Sequence, residues 1–241
     1  MTQYTYTRAQ EGLAPVGLVV LQTDETIEQD MRRMLPPRTP VYVTRVPSAP
    51  QVTPDSLREM AQHLTQAARL LPQAVPFSAI GYGCTSATSQ IGADKVARLI
   101  GDGVRTERVS DPLSALVAAC TAMGITRLAL LSPYTADVSD RLRTALASAG
   151  IETPVFGSFN EADEACVVRI DAVSLIEAAC DLAGQGDVDG IFLSCTNLRT
   201  LDVIAQIEGR TGLPCLSSNQ ALAWHLCPDA TVPGRLADAL R

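Results

Sequence analysis

The chain has 241 residues, of which 46% are hydrophobic and 19% are charged, and its net charge is −7 at pH 7. This length and composition suffice for one large domain or two lobes with a sizeable core, and they exclude a disordered chain. An acidic chain without a run of Lys and Arg is poorly suited to nucleic acid or an anionic membrane, so we expect neither as a partner.

Short apolar runs alternate with longer amphipathic stretches along the chain. The apolar runs predict strands at 16–21, 41–46, 79–82, 128–131, 154–156, 191–194 and 214–216. The stretches between them predict helices at 25–35, 54–71, 91–100, 113–123, 136–149, 172–183, 200–209 and 220–227. Alternation of strands and helices is typical of parallel sheets covered by helices on both faces, so we predict an α/β fold.

The two halves of the chain repeat the same order of elements. Each half runs strand, helix, strand, helix, strand and then a cysteine, first over about residues 16–84 and again over about residues 128–195. We interpret this as an internal duplication that produces two pseudo-symmetric, Rossmann-like lobes with parallel four-stranded sheets and a cleft between them. The predicted first lobe is 1–115, the predicted second lobe is 116–213, and 214–241 is expected to pack back onto the first lobe.

Seven cysteines are scattered along the chain without a Cys-x-x-Cys pair. An odd and scattered set argues against a disulfide framework and favours a reducing compartment. The first 12 residues are polar and contain no apolar segment of a secretory signal. Apolar runs also stay well below the ~20 residues of a membrane span. We therefore expect a cytoplasmic protein.

Two of the cysteines, Cys84 and Cys195, stand at the ends of predicted strands in similar surroundings. Each follows an apolar run and a small residue, and each precedes Thr, a short polar residue and helix-like sequence. Ligands of parallel α/β sheets bind at the carboxyl ends of the strands, where helix N-termini favour a thiolate. Two such thiols across one pocket would form an acid and a base for a carbon centre, although a cysteine after an apolar run is also a common buried hydrophobe.

The polar residues after each cysteine are Thr85, Ser86, Thr196 and Asn197. With the backbone amides that follow, they are suited to hold a substrate carboxylate. Ser, Thr and Asn also cap helices, and one residue can do both. The histidines, His63 and His225, lack the spacing of paired metal ligands, so we predict no metal site.

Several motifs resemble the aspartate/glutamate racemase superfamily, in its branch of maleate cis-trans isomerases and arylmalonate decarboxylases. The motifs are Gly83-Cys84-Thr85-Ser86, Ser132-Pro133-Tyr134, Ser158-Phe159-Asn160, Ser194-Cys195-Thr196-Asn197 and the stretch 216–224. The resemblance covers nearly the whole chain. It implies two pseudo-symmetric lobes, a site in the cleft, no cofactor, a small-molecule carboxylate substrate and a homo-oligomer. It also implies catalytic roles for Cys84 and Cys195 and binding roles for Tyr134 and Asn160.

The resemblance implies an isomerase rather than a decarboxylase, because arylmalonate decarboxylases keep only the second of the two cysteines. One loop departs from the maleate isomerases, since Asp24 stands where they carry an asparagine that holds a substrate carboxylate. A negative side chain repels a dicarboxylate and favours a cationic group. This acidic loop and the stretch 196–200 resemble the ectoine-utilization EutA proteins, and ectoine is a cyclic amidinium carboxylate. Asp24 is equally suited to cap the following helix.

The leading prediction is a cofactor-independent isomerase or racemase that acts alpha to a carboxylate with two cysteines. The alternatives are cis-trans isomerisation of maleate through addition of a cysteine to the alkene, a decarboxylase-like enzyme, and a non-catalytic ligand-binding protein on the same scaffold.

Overall fold

The computed structural model describes residues 1–8 and 12–239. Its strands are β1 Val16–Leu21, β2 Val41–Val46, β3 Ala79–Gly83, β4 Val109–Ser110, β5 Arg127–Ser132, β6 Glu152–Ser158, β7 Gly190–Leu193 and β8 Cys215–Ser217. Its α-helices are α1 Ile27–Met34, α2 Pro54–Glu59, α3 Leu64–Arg69, α4 Thr85–Ile91, α5 Ala93–Gly101, α6 Pro112–Met123, α7 Ala136–Ser148, α8 Glu164–Val167, α9 Ala172–Ala183, α10 Ile204–Thr211 and α11 Ser218–Leu226. Short 3₁₀ turns lie at Met60–Gln62 and Arg235–Asp238.

The strands form two four-stranded parallel sheets with the same topology. The first has the order β2-β1-β3-β4 and the second the order β6-β5-β7-β8. The central strands β1, β3 and β7 are buried along their whole length, as expected for strands covered on both faces. The α/β fold with two repeated parallel sheets is therefore confirmed.

The short strand β4 is the strand that the sequence did not predict. It contains two residues, Val109 and Ser110, which pair with Ile80 and Gly81 of β3. A strand of two residues has no detectable periodicity, so pairing with a neighbour rather than local pattern defines it.

Helix boundaries differ from the prediction most clearly after the two cysteines. The predicted helix 91–100 is preceded by α4, which begins at Thr85, and Gly92 with φ of 94° separates α4 from α5. The predicted helix 200–209 begins later, at Ile204, so a stretch of turns follows Cys195. The predicted helix 54–71 is interrupted by the 3₁₀ turn, and α8 was not predicted at all.

The two halves also meet through their last helices. Helices α6 and α11 follow the equivalent strands β4 and β8, and they pack against each other. Strand β8 pairs within the second sheet, whereas α11 also contacts α1 and β3 of the first half. The division of the chain near residue 115 stays a prediction.

Within the described ranges, no helix combines the length and apolar character required to cross a bilayer.

Close packing at the end of β3 positions the first cysteine. A Cβ atom on Gly83 would lie 2.7 Å from Cδ1 of Ile27, a completely buried residue at the start of α1. The absence of a side chain at Gly83 therefore lets α1 approach the end of β3. This approach brings the loop between β1 and α1 beside Cys84.

Candidate active site

A small cavity lined by buried residues lies at the carboxyl ends of the two central strands of each sheet. Its volume is about 10 Å³, roughly the space of one water molecule. It is lined by Leu21, Asp24, Cys84, Thr85, Ser86, Tyr134, Glu164, Cys195, Thr196 and Asn197. The lining includes every residue predicted for the site except Asn160. A substrate larger than water requires the cavity walls to move apart.

Cys84 begins a helix directly. It is the N-cap residue of α4, and its Sγ accepts a hydrogen bond from the backbone N–H of Ala87 at 3.3 Å. Burial raises the pKa of the Cys84 thiol to about 12, although the Ala87 amide acts in the opposite direction. The expectation of a thiol pKa lowered by the helix N-terminus is therefore wrong for Cys84, because desolvation of the buried thiol outweighs the hydrogen bond from the amide.

Cys195 has a different backbone and different partners. Its φ of 146° lies in a region that residues other than glycine rarely adopt. Its Sγ accepts a hydrogen bond from the backbone N–H of Asn197 at 3.2 Å and lies 3.0 Å from the hydroxyl of Tyr134. Burial, followed by the nearby carboxylate of Glu164, raises the pKa of this thiol well above its usual value.

Tyr134 connects Cys195 to a buried carboxylate. Its hydroxyl lies 2.6 Å from Oε1 of Glu164, and Asn197 donates from Nδ2 to Oε2 of the same carboxylate at 2.7 Å. Burial raises the pKa of Glu164, and these two hydrogen bonds partly offset that effect. The result is a continuous hydrogen-bonded path from one cavity thiol to one cavity acid.

Several predicted binding side chains join the two halves of the protein. The Thr196 hydroxyl donates to the carbonyl of Gly83 at 3.1 Å, and the hydroxyls of Thr85 and Ser218 lie 2.7 Å apart. Asn197 accepts from the backbone N–H of Glu25 at 2.9 Å. These side chains line the cavity but are already occupied by hydrogen bonds within the protein.

The hydroxyl of Ser86 has no hydrogen-bond partner among the described residues, and it lies at the N-terminus of α4. The first amides of a helix have no acceptor within the helix. Of these amides, that of Ala87 donates to Sγ of Cys84 and that of Thr88 donates to the Cys84 carbonyl. The Ser86 hydroxyl is therefore the cavity group at this helix end that is best placed for an anionic oxygen.

Asp24 combines the two roles that the sequence left open. Its Oδ1 accepts from the backbone N–H groups of Thr26 and Ile27, both at 2.8 Å, and so supports the start of α1. Its Oδ2 is buried in the cavity wall without a hydrogen-bond partner. Burial raises the pKa of Asp24, and the hydrogen bonds from the Ile27 and Thr26 amides partly offset that effect.

Asn160 lies outside the cavity. It is exposed, has φ of 53°, and its backbone N–H donates to Oγ of Ser158 at 2.8 Å. The polar residue that this segment places in the cavity is instead Glu164, the first residue of α8, which is 3% exposed. Sequence reasoning missed it because α8 is only one helical turn. The available signal was Asp163, whose carboxylate caps α8 through the amides of Ala165 and Cys166.

Together the fold and the site define a class of protein: an α/β protein of two repeated parallel sheets, with one thiol from each half in a shared cavity. Residues 51–239 match the arylmalonate decarboxylase family model. The chain belongs to the arylmalonate decarboxylase family.

Curated relatives include enzymes of two activities. The arylmalonate decarboxylase of Bordetella bronchiseptica is 34% identical over 113 residues, which is 46% of this chain and 47% of that enzyme, so the match spans about half the relative's length. The maleate isomerase of Pseudomonas putida is 25% identical over 240 residues, covering 91% of this chain and 94% of the relative. The similarity to the maleate isomerase along nearly the whole chain supports the prediction that the chain is an enzyme of the isomerase class.

Solved structures share the fold. A cysteine-to-serine variant of the maleate cis-trans isomerase of Nocardia farcinica, with a covalently bound succinylcysteine intermediate, superposes with a TM-score of 0.83 at 22% identity, covering 94% of this chain and 98% of that one. Unliganded arylmalonate decarboxylase superposes with a TM-score of 0.77 at 24% identity, covering 94% and 99%.

Proposed function

We propose that the chain is a cofactor-independent isomerase or racemase that acts at the carbon alpha to a carboxylate, with Cys84 and Cys195 as its two proton-transfer groups. The observation that carries the proposal is the placement of one thiol from each half in a single cavity. Isomerase relatives aligned along nearly the whole chain support it. The covalently bound succinylcysteine intermediate in the Nocardia farcinica isomerase variant instead favours the alternative, in which a cysteine adds to the alkene of maleate.

In this mechanism one cysteine is a thiolate and the other a thiol when the substrate binds. The thiolate removes the alpha proton, and the electron pair that remains is delocalised into the substrate carboxylate. The other thiol then donates its proton to the opposite face of the same carbon. The two cysteines finish with exchanged protonation states, so each serves as the base in one reaction direction.

The charge of the cavity indicates the substrate class. The described cavity lining contains two carboxylic acids, Asp24 and Glu164, and no basic side chain. A substrate with one carboxylate and one cationic nitrogen places its carboxylate beside the Ser86 hydroxyl at the start of α4 and its nitrogen near the free Oδ2 of Asp24. A second carboxylate in that position meets repulsion. An ectoine-type amidinium carboxylate has this combination of charges, and we propose it as the substrate type.

Proton NMR in D₂O detects the reaction whatever its product, because the alpha proton exchanges with solvent during turnover. Ectoine, hydroxyectoine, aspartate and maleate are incubated with the enzyme and with the double variant C84S/C195S. The proposal expects alpha-proton exchange by the wild-type enzyme with a cationic carboxylate and none by the double variant. Conversion of maleate to fumarate, with no exchange of the other compounds, would favour the maleate isomerase alternative. Exchange that persists in the double variant would refute the two-cysteine mechanism.

Asp24→Asn tests the substrate class separately. Asparagine keeps the oxygen that caps α1 and removes the negative charge from the cavity. We expect kcat/KM for the cationic substrate to fall by about 10- to 100-fold and any activity with maleate to rise, because an ion pair near 4 Å contributes up to about 4 kcal/mol at an effective dielectric of 20. The thermal midpoint provides the control for folding. Equal effects on both substrates would limit Asp24 to its capping role.

A further inference from the structure

Glu164 is the cavity carboxylate to which the proposed proton transfers assign no role. Its side chain is 3% exposed, and both of its oxygens are engaged: Oε1 with the Tyr134 hydroxyl at 2.6 Å and Oε2 with Nδ2 of Asn197 at 2.7 Å. A buried carboxylate is costly unless it is paired or protonated. No basic side chain is among the described residues that line its cavity. Its placement beside a reactive thiol therefore requires an explanation.

The Tyr134 hydroxyl has one proton and two hydrogen-bond neighbours. It lies between Oε1 of Glu164 and Sγ of Cys195, at 2.6 and 3.0 Å. In one arrangement the tyrosine donates to an ionised Glu164, and the Cys195 thiol donates to the tyrosine oxygen. In the other arrangement a protonated Glu164 donates to the tyrosine, and the tyrosine donates to a Cys195 thiolate. Both arrangements satisfy every polar group on the path.

We propose that Glu164 holds the proton of Cys195 and returns it through the hydroxyl of Tyr134. The inference rests on the proposed function, in which Cys195 alternates between thiol and thiolate. In the transfer, the S–H proton moves to Oη of Tyr134 while the Oη–H proton moves to Oε1 of Glu164. The products are a thiolate and a neutral carboxylic acid. The three side chains carry one negative charge before and after the step.

Constancy of that charge is the physical advantage of the relay. Ionisation of a buried thiol normally adds an uncompensated charge to an apolar site. Here the charge moves from Glu164 to Cys195, and Asn197 contacts both ends, with its backbone N–H on Sγ and its amide on the carboxylate. Burial raises the pKa of Glu164 towards the range in which it can hold a proton. Glu164 is thus a positioning residue for a proton rather than a group that contacts substrate carbon.

The groups that face Glu164 come from several elements. Asp24 follows β1, Cys84 follows β3, and Asp163 precedes Glu164 in the chain. The two aspartates raise the pKa of Glu164 further when they are ionised. None of the three is hydrogen-bonded to Tyr134, so the relay proper consists of Glu164, Tyr134 and Cys195.

The relay can be tested without substrate, by ¹³C NMR of protein labelled at cysteine Cβ and by the carboxylic acid C=O stretch in infrared spectra. The Cys195 resonance is assigned by its loss in C195S, and the Glu164 band by its loss in E164Q. In the wild type, we expect the ¹³Cβ chemical shift of Cys195 to change at the pH where the carboxylic acid band of Glu164 disappears. We expect the Cys195 thiol to become fully ionised only at much higher pH. In E164Q the change of the Cys195 chemical shift at this lower pH should be absent. The thiol should then titrate lower by about one pH unit or more, because a neighbouring negative charge has been removed.

Two further variants separate the relay from a simple charge effect. Y134F leaves the Glu164 carboxyl in place but breaks the path, so the response of Cys195 at the Glu164 titration should shrink. E161Q removes a carboxylate outside the cavity lining and should titrate like the wild type. The relay would be overturned if Cys195 titrated in E164Q as it does in the wild type. It would also be overturned if the Cys195 chemical shift of Y134F still followed the titration of Glu164 as strongly as in the wild type. Because the titration needs no turnover, a failed relay is distinguishable from a failed assignment of the reaction.

Discussion

Cys84 and Cys195 occupy equivalent positions in the two repeated sheets, but their partners differ. Cys84 has an extended backbone, begins α4 directly, and its Sγ accepts from one backbone amide. Cys195 has φ of 146°, is followed by turns, and contacts the Tyr134 hydroxyl as well as an amide. Each half thus supplies one thiol, and among the described residues the thiol of the second half has a hydrogen-bonded path to an acid. The comparison shows that pseudo-symmetric positions need not have symmetric chemistry.

The largest expected effect comes from removing either thiol. We expect C84S and C195S each to lower turnover by about 10²–10⁴-fold, since each removes a general acid or base. In a racemase the two variants should retain alpha-proton exchange with opposite enantiomers, measured by proton NMR in D₂O. Full isomerisation by C84S would instead favour a one-thiol mechanism of the decarboxylase type.

The next effect tests the asymmetry directly. Y134F removes the hydroxyl beside Cys195 and should lower kcat by about 10- to 150-fold, corresponding to roughly 1.5–3 kcal/mol for a hydrogen bond to a charged group. Y82F is the matched control in the first half, because Tyr82 is buried near Cys84 but its hydroxyl contacts Sδ of Met60 at 4.0 Å. Similar losses in the two variants would contradict the assignment of a tyrosine partner to Cys195 alone.

The smallest effect concerns the backbone of the two cysteines. At position 195, glycine should be more stable than alanine by about 1 kcal/mol or more, because glycine accepts φ of 146° without strain. At position 84 the backbone is extended, so alanine has no φ strain there, and the difference between C84G and C84A should be limited to the few tenths to about 1 kcal/mol by which glycine is preferred at an N-cap. Denaturant unfolding of the four variants measures both differences. A difference between glycine and alanine at position 195 that is no larger than the difference at position 84 would contradict a strained backbone at Cys195.

The sequence predicted structural elements correctly where a local apolar pattern coincides with burial in the fold. The apolar runs predicted β1 and β2 at their observed limits. Of the two, β1 is buried along its whole length, and a strand covered on both faces is a continuous apolar segment in the sequence. The similar surroundings of Cys84 and Cys195 predicted two thiols at strand ends, and the structure brings both into one cavity. The motif of Asn160 predicted a polar contribution from the loop after β6, but the residue in the cavity is Glu164, four positions later.

By itself, the sequence determined the α/β fold, its repetition and the pair of cysteines, because these depend on periodicity and on residues adjacent in the chain. Tertiary structure decided the protonation chemistry of the site. The raised pKa of each thiol depends on how completely the two halves exclude water. The link from Cys195 to Glu164 depends on three segments that meet only after both sheets have formed. Desolvation and hydrogen bonding between distant residues leave no local pattern, so only the folded chain reveals them.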